Sequence, residues 1–277
     1  MPFPSKEGLL PVTGSGVAWD RSAVRSGTPV LFIHAGVADR TMWDPQWVAL
    51  AATTNLVRLD LREFGESTTP PPGPRSRVDD VLETMDEAGL ERVHLVGASM
   101  GAGVCVEVAL TAPDRVASLL LGPPGGSLLA TMTDDLREFV EAENAALDAG
   151  DLDAAVEANI RAWVLGPGRS EADVDADVVD KVRRMQRHVF EVGVAMGDPE
   201  MLEMDPPALD RLAEVGVPTL VLIGGHDLDT TKDAADRIGT GIRHALRVDW
   251  PDAAHLPSME HPARFTDLLQ RWLGDQQ

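Results

Sequence analysis

Tyrosine is absent from this 277-residue chain, and cysteine occurs once, at position 105. Chemistry that needs a phenol is closed to it, and so is an intrachain disulfide. A lone thiol is compatible with a reducing compartment, and a cytoplasmic setting is expected. Basic residues are scarce: 24 Lys and Arg stand against 45 Asp and Glu, a formal net charge of −21. That balance repels phosphates, which argues against nucleic acid and anionic membranes as partners. No run of about 18 uncharged apolar residues occurs, so no membrane-spanning helix is expected. Met1 to Glu7 lacks the apolar core of a signal peptide. The acids between Glu171 and Asp180 have no histidine at ligand spacing, so they read as a solvated face, with no metal and no cofactor expected. Homo-oligomer formation is left open.

What is present is a soluble-protein composition, 44% hydrophobic, long enough to bury a large core. Short β-branched runs at Pro29–His34, Leu56–Leu61, Val93–Gly97 and Val116–Leu121 read as buried strands. Helical patterns lie between them, near 43–52, 77–89 and 100–111. That alternation predicts an α/β fold with a mostly parallel sheet flanked by helices. Gly14 to Arg25 reads as an antiparallel hairpin leading into it. Pro123-Pro124-Gly125-Gly126 is a breaker cluster, and the chain from Thr133 to about Glu203 is acidic and helical in pattern. Strand-like runs resume at Val217–Ile223 and Ala245–Trp250, and a final helix is expected over 262–273. The expected organisation is a core of residues 1–122 and 208–277, interrupted by a helical cap at 123–207.

Gly97-Ala98-Ser99-Met100-Gly101 follows a strand and opens a helix, the setting of a nucleophile elbow. So tight a turn strains the serine backbone and demands glycine on either side. Ser99 is therefore the candidate nucleophile. A serine hydroxyl needs a base. His255 follows the last predicted strand, which puts it on the same sheet edge as Ser99. The orienting carboxylate should follow the penultimate strand, where Asp227 is preferred over Asp229. Met100 and Val37, with Gly36 as the rival of Val37, are the candidate amide donors for an oxyanion. His34 reads as shaping that loop, and Cys105 as a buried, inert thiol.

These segments, with Asp60–Ser67, Gly224–Asp227 and His255–Pro262, resemble the α/β-hydrolase superfamily, and within it small bacterial esterases and the 3-oxoadipate enol-lactonase group. The resemblance implies Ser99, Asp227 and His255 as a catalytic triad, Val37 and Met100 as an oxyanion hole, and Asp60–Ser67 as a structural loop. It implies hydrolysis of an ester or lactone carbonyl in a small-molecule substrate. The same triad serves cofactor-free perhydrolases or haloperoxidases and carbon–carbon bond hydrolases, and some proteins of this fold bind ligands without hydrolysis. Relatives with an aspartate nucleophile are excluded by Ser99. Epoxide hydrolases need tyrosines that this chain lacks, and hydroxynitrile lyases place a lysine where Leu256 stands.

The cap is expected to cover the C-terminal edge of the sheet, with substrate between cap and core. Trp43, Trp163, Leu165, His188 and Val189 are the candidate pocket residues, followed by Met185, Phe190 and Met196.

Overall fold

One seven-stranded sheet organises the computed structural model of the chain, which describes residues 13–14, 16–71, 73–197 and 200–276. The strands are β1 (Trp19–Arg21), β2 (Val30–Ile33), β3 (Leu56–Leu59), β4 (Val93–Ser99), β5 (Val116–Pro124), β6 (Thr219–Gly224) and β7 (Leu246–Trp250). Their order across the sheet is β1-β3-β2-β4-β5-β6-β7. Only β1 runs antiparallel to its neighbour. Parallel pairing forces each connection to cross a face of the sheet. The crossings are made by α1 (Asp44–Leu50), α2 (Arg77–Glu87), α3 (Met100–Thr111), the 3-10 helix Ala208–Glu214, which follows the inserted helices α4 (Asp134–Asp148), α5 (Leu152–Asn159) and α6 (Ala176–Met196), and then α7 (Asp229–Gly241). A short α8 (Pro257–Glu260) and the closing α9 (Pro262–Gly274) follow β7.

Side chains alternate across a strand, so each strand feeds two cores. Leu31, Ile33, Val57, Leu59, Leu95 and Leu121 face one layer, beneath α2, α3 and α7. Val30, Phe32, Leu56, Val96, Leu120 and Leu222 face the other, which α9 covers with Phe265, Leu269 and Trp272. Arg58 falls on this second face, and its charge is met by Asp20 and Asp44 while its guanidinium lies over Trp47. At the far edge, β7 is largely exposed, with Arg247 and Asp249 paired on its surface.

Three expectations need correction. The hairpin expected at Gly14–Arg25 does not form among the described residues. Both sides of β2 are taken by β3 and β4, so β1 pairs instead with the open edge of β3. The breaker cluster does not stop β5, which continues through Pro123 to pair Pro124 with Ser99. Its pairing with β6 covers Leu119 to Leu121, so the prolines sit where one side of the ladder is open. Helix α7 follows β6 although no helical pattern was read there.

The insertion is helical from α4 to α6. Asp151 and Asp175 cap α5 and α6 by accepting from Ala154 and Asp177 amides. Between these helices, Ile160–Leu165 forms a π-helical turn. Val156, Trp163 and Val182 join the second core layer, so the insertion is packed onto the sheet and not tethered beside it. Among the described residues, no helix is long and apolar enough to cross a membrane.

Candidate active site

Ser99 closes β4 with φ 53° and ψ −119°, a positive-φ conformation that costs about 1–3 kcal/mol in a residue with a side chain. The cost is sustained because the flanking packing leaves no alternative. A Cβ on Gly97 would strike the Gly101 carbonyl and the Cys105 sulfur; one on Gly101 would strike the carbonyls of Ile33 and His34. The strand, the helix and β2 thus meet backbone to backbone, and the half-buried Ser99 is left standing at the head of α3. The first-turn amides of α3 have no partner one turn earlier, and the helix dipole favours negative charge there.

His255 and Asp227 come from the loops after β7 and β6. His255 Nδ1 and Asp227 Oδ1 are 2.8 Å apart, and both side chains are buried. A carboxylate only accepts, so Nδ1 is the donor and Nε2 carries the lone pair. The Leu228 amide also donates to Asp227 Oδ1, at 3.0 Å. His255 Nε2 is buried and bonded to no described residue, Ser99 included. Asp229 is elsewhere: it begins α7, donates its amide to Asp135 Oδ2 and pairs with Lys232.

The loop after β2 lies along the start of α3. A Cβ on Gly36 would sit 3.8 Å from the Met100 Cβ, and Val37 is buried beside it. His34 fixes this loop. Its Nδ1 donates to the Ala35 carbonyl at 2.8 Å, its Nε2 accepts from the Leu61 amide at 3.0 Å, and its ring rests on Phe64. Burial pushes the His34 pKa down, which keeps the ring neutral and able to accept. The Asp60–Ser67 loop is held in turn by Asp60, which accepts from the amides of Arg40 and Glu66 and pairs with the Arg40 guanidinium. Burial is the largest influence on Asp60 and raises its pKa, against the lowering by Arg40. Cys105 is fully buried and its thiol is pushed up, so it is a packing residue.

The structure separates the candidate pocket residues. The Trp163 ring lies on His255, with ring centroids 4.6 Å apart. Leu165 is buried in the layer shared by insertion and sheet. Trp43 is not at the site: it is fully buried between Phe32 and Phe265, because the 3-10 turn Arg40–Trp43 folds it onto the sheet face covered by α9. His188 is also elsewhere. It bonds the Gly65 carbonyl through Nε2 at 2.8 Å and so ties α6 to the Asp60–Ser67 loop. Val189 and Phe190 line a cavity of about 510 Å³ with Phe64 and Leu152, on the side of α6 facing that loop. Met185 touches the Thr41 hydroxyl, and Met196 ends α6 half-buried.

Sequence reasoning missed a set of residues that bind the insertion to the His255 loop. Arg169 and Glu260 form an ion pair with side chains 7% and 9% exposed. The other oxygen of Glu260 accepts from the Ala254 amide at 2.9 Å, one residue before His255. Gly166, at φ 76°, presses on the His226 carbonyl so closely that a Cβ would collide with it. The Pro167 carbonyl meets His226 Nδ1 at 3.3 Å. Glu260 stands inside the His255–Pro262 segment, which was its one signal in the sequence.

This geometry agrees with what the chain is similar to. The chain belongs to the alpha/beta hydrolase family, whose profile matches residues 30–268. It is 30% identical over 252 residues to the dihydrolipoyllysine-residue acetyltransferase component of the acetoin cleaving system of Cupriavidus necator. That match covers 88% of this chain and 63% of the relative, so the chain spans less than two thirds of that relative's length. It is 23% identical over 241 residues to 3-oxoadipate enol-lactonase 1 of Acinetobacter baylyi, covering 87% of this chain and 86% of the relative. A thermophilic esterase from Thermogutta terrifontis superposes with a TM-score of 0.71 at 26% identity, over 94% of this chain and 93% of the esterase.

Proposed function

We propose that this hydrolase, one of the esterase and lactonase kind, cleaves a carboxylic ester or lactone through an acyl-enzyme on Ser99. The observation that carries the reading is the buried Asp227–His255 pair in the loops after β6 and β7, together with a serine held on a strained strand-to-helix turn of the same sheet. Ser99 Oγ attacks the carbonyl carbon and His255 Nε2 takes its proton. Asp227 fixes the imidazole tautomer and stabilises the imidazolium as it forms. The amides of Val37 and Met100 are the proposed donors to the tetrahedral oxyanion, at the start of α3 where the helix favours that charge. Collapse breaks the carbonyl–oxygen bond to the leaving group, and His255 returns the proton to the departing alkoxide. In a lactone that alkoxide remains part of the acyl group. Water, deprotonated by His255, then releases the acid and restores Ser99.

In this reading the insertion at 123–207 is a cap, the partner is a small-molecule carbonyl substrate, no cofactor takes part and the setting is cytoplasmic. Support for the cap comes from Trp163, which brings the insertion directly onto His255. The test is covalent labelling by a fluorophosphonate with the adduct mapped by mass spectrometry. An adduct on Ser99, lost in Ser99→Ala together with ester turnover, is the expected result. No adduct, or full turnover by Ser99→Ala, ends the reading.

A further inference from the structure

A cavity of about 350 Å³ lies between the insertion and the loop that carries Asp227, with Leu228 on its wall. Its inner surface is apolar, with Phe139 from α4, Ala158 from α5, Ala162 and Gly166 around the π-helical turn and Leu228 beside Asp227, while Ala142 of α4 lies exposed at its mouth. One of these residues, Ala162, precedes Trp163 in the chain, and Phe139 meets the indole edge-on at 5.2 Å between centroids. The same indole also rests on His255, at 4.6 Å between ring centroids. Trp163 therefore touches both a wall residue of the cavity and the general base.

We propose that this cavity is a subsite for one apolar arm, alkyl or aryl, of the substrate, and that Trp163 is the specificity-determining residue that limits how long that arm can be. The inference rests on the acyl-enzyme reading above. The charges at the mouth do not favour an ionic ligand. Asp135 is occupied by the Asp229 and Leu136 amides and the Thr133 hydroxyl, and Arg169 by Glu260. Arg161 and Glu138, of opposite sign, are exposed at the rim. What a ligand meets inside is the row of alanines and the faces of Phe139 and Leu228, where each added methylene gains by leaving water.

The turn that carries Trp163 is held at its end and irregular in its middle. Gly166 against His226, with Arg169 on Glu260, pins residues 166–169 to the two loops that bear Asp227 and His255. The π-helical turn itself interrupts the regular helix at the residue facing the site, a departure found frequently at functional positions. The indole thus links the cavity wall to His255, while the turn stays docked.

The experiment compares kcat/KM for two ester series, one lengthening the acyl chain from acetyl to dodecanoyl and one lengthening the alcohol on a fixed acetyl group. Trp163→Ala is expected to raise the long-to-short ratio at least about tenfold in one of the two series, mainly through KM, and that series identifies which arm enters. Ala142→Trp, a substitution at an exposed position that fills the cavity from its mouth, is expected to lower the same ratio by about tenfold. It keeps the proposal testable where Trp163→Ala fails to fold. Fluorophosphonate labelling of the same preparations separates the two readings. Ser99 labelled with both ratios unchanged overturns the subsite alone. No label on wild-type Ser99 overturns the acyl-enzyme reading and the subsite with it.

Discussion

Two irregular turns, one at Ser99 and one around Trp163, are built in different ways. The turn at Ser99 is set by backbone against backbone: Gly97, Gly101 and the Ile33 carbonyl leave it one conformation. The turn around Trp163 is set by side chains reaching across the molecule, with the Arg169–Glu260 pair joining positions 91 residues apart. A turn of the first kind resists any added atom. A turn of the second kind depends on a few buried polar contacts, and its inner surface can vary with the side chains that line it. In the proposed reading, reaction type resides in the first and substrate range in the second.

Substitutions can break that contrast, and the largest effect is expected at the carboxylate that holds His255. Asp227→Asn keeps the shape but presents an amide to His255 Nδ1, which favours the wrong tautomer. A fall in kcat of about 10⁴-fold is expected, with Ser99 still in place, measured by ester turnover under saturation. Next is Glu260→Ala, which leaves Arg169 buried and unpaired and frees the Ala254 amide. Denaturant titration is expected to show a loss of about 3–5 kcal/mol, the range for breaking one side of a buried pair. Gly101→Ala follows, at about 1–3 kcal/mol, because the methyl group forces β2 and α3 apart. If Gly101→Ala proves harmless while Glu260→Ala unfolds the chain, the division between rigid and adaptable turns is reversed.

The smallest effect is on pH dependence. Burial lowers the folded-state pKa of His34 below its ordinary value of 6.5, so the unfolded chain binds the proton more readily. His34 thus contributes stability above that value, and the contribution is lost as pH falls from it through the lowered folded value. His34→Gln is expected to flatten the stability-against-pH curve below 6.5, by no more than about 1.4 kcal/mol per pH unit, the limit for one proton. Thermal melts across that range, wild type against variant, measure it.

The same contrast explains what could be read from the amino-acid order. The strand around Ser99 is apolar and short, the helix after it is made of small residues, and the glycines stand where the turn needs them. All of that is local, so the elbow was legible. Asp227 and His255 were legible because strand ends share one edge of a parallel sheet, which turns an order in sequence into a place in space. The insertion offered no such rule. Helical periodicity marked its helices but not the π-helical turn, and nothing near Arg169 in sequence announces Glu260. Trp43 misled for a related reason: position just beyond the loop after β2 suggested the pocket, while packing against Phe32 and Phe265 decided the matter. Pro123 and Pro124 read as a stop, although the strand they belong to has one side free of partners at that point.

The open flank of β7 has a consequence for behaviour in concentrated solution. A bare strand edge is a template on which another chain can add, and continued addition leads to aggregates. Here the exposed strand presents Arg247 and Asp249, with Asp236 drawn in from α7. A second molecule pairing there would have to strip water from these ions or displace them. Among the described residues the sheet thus ends on a strand whose exposed positions carry the Arg247–Asp249 pair beside Leu246, and pairing there would mean desolvating that pair.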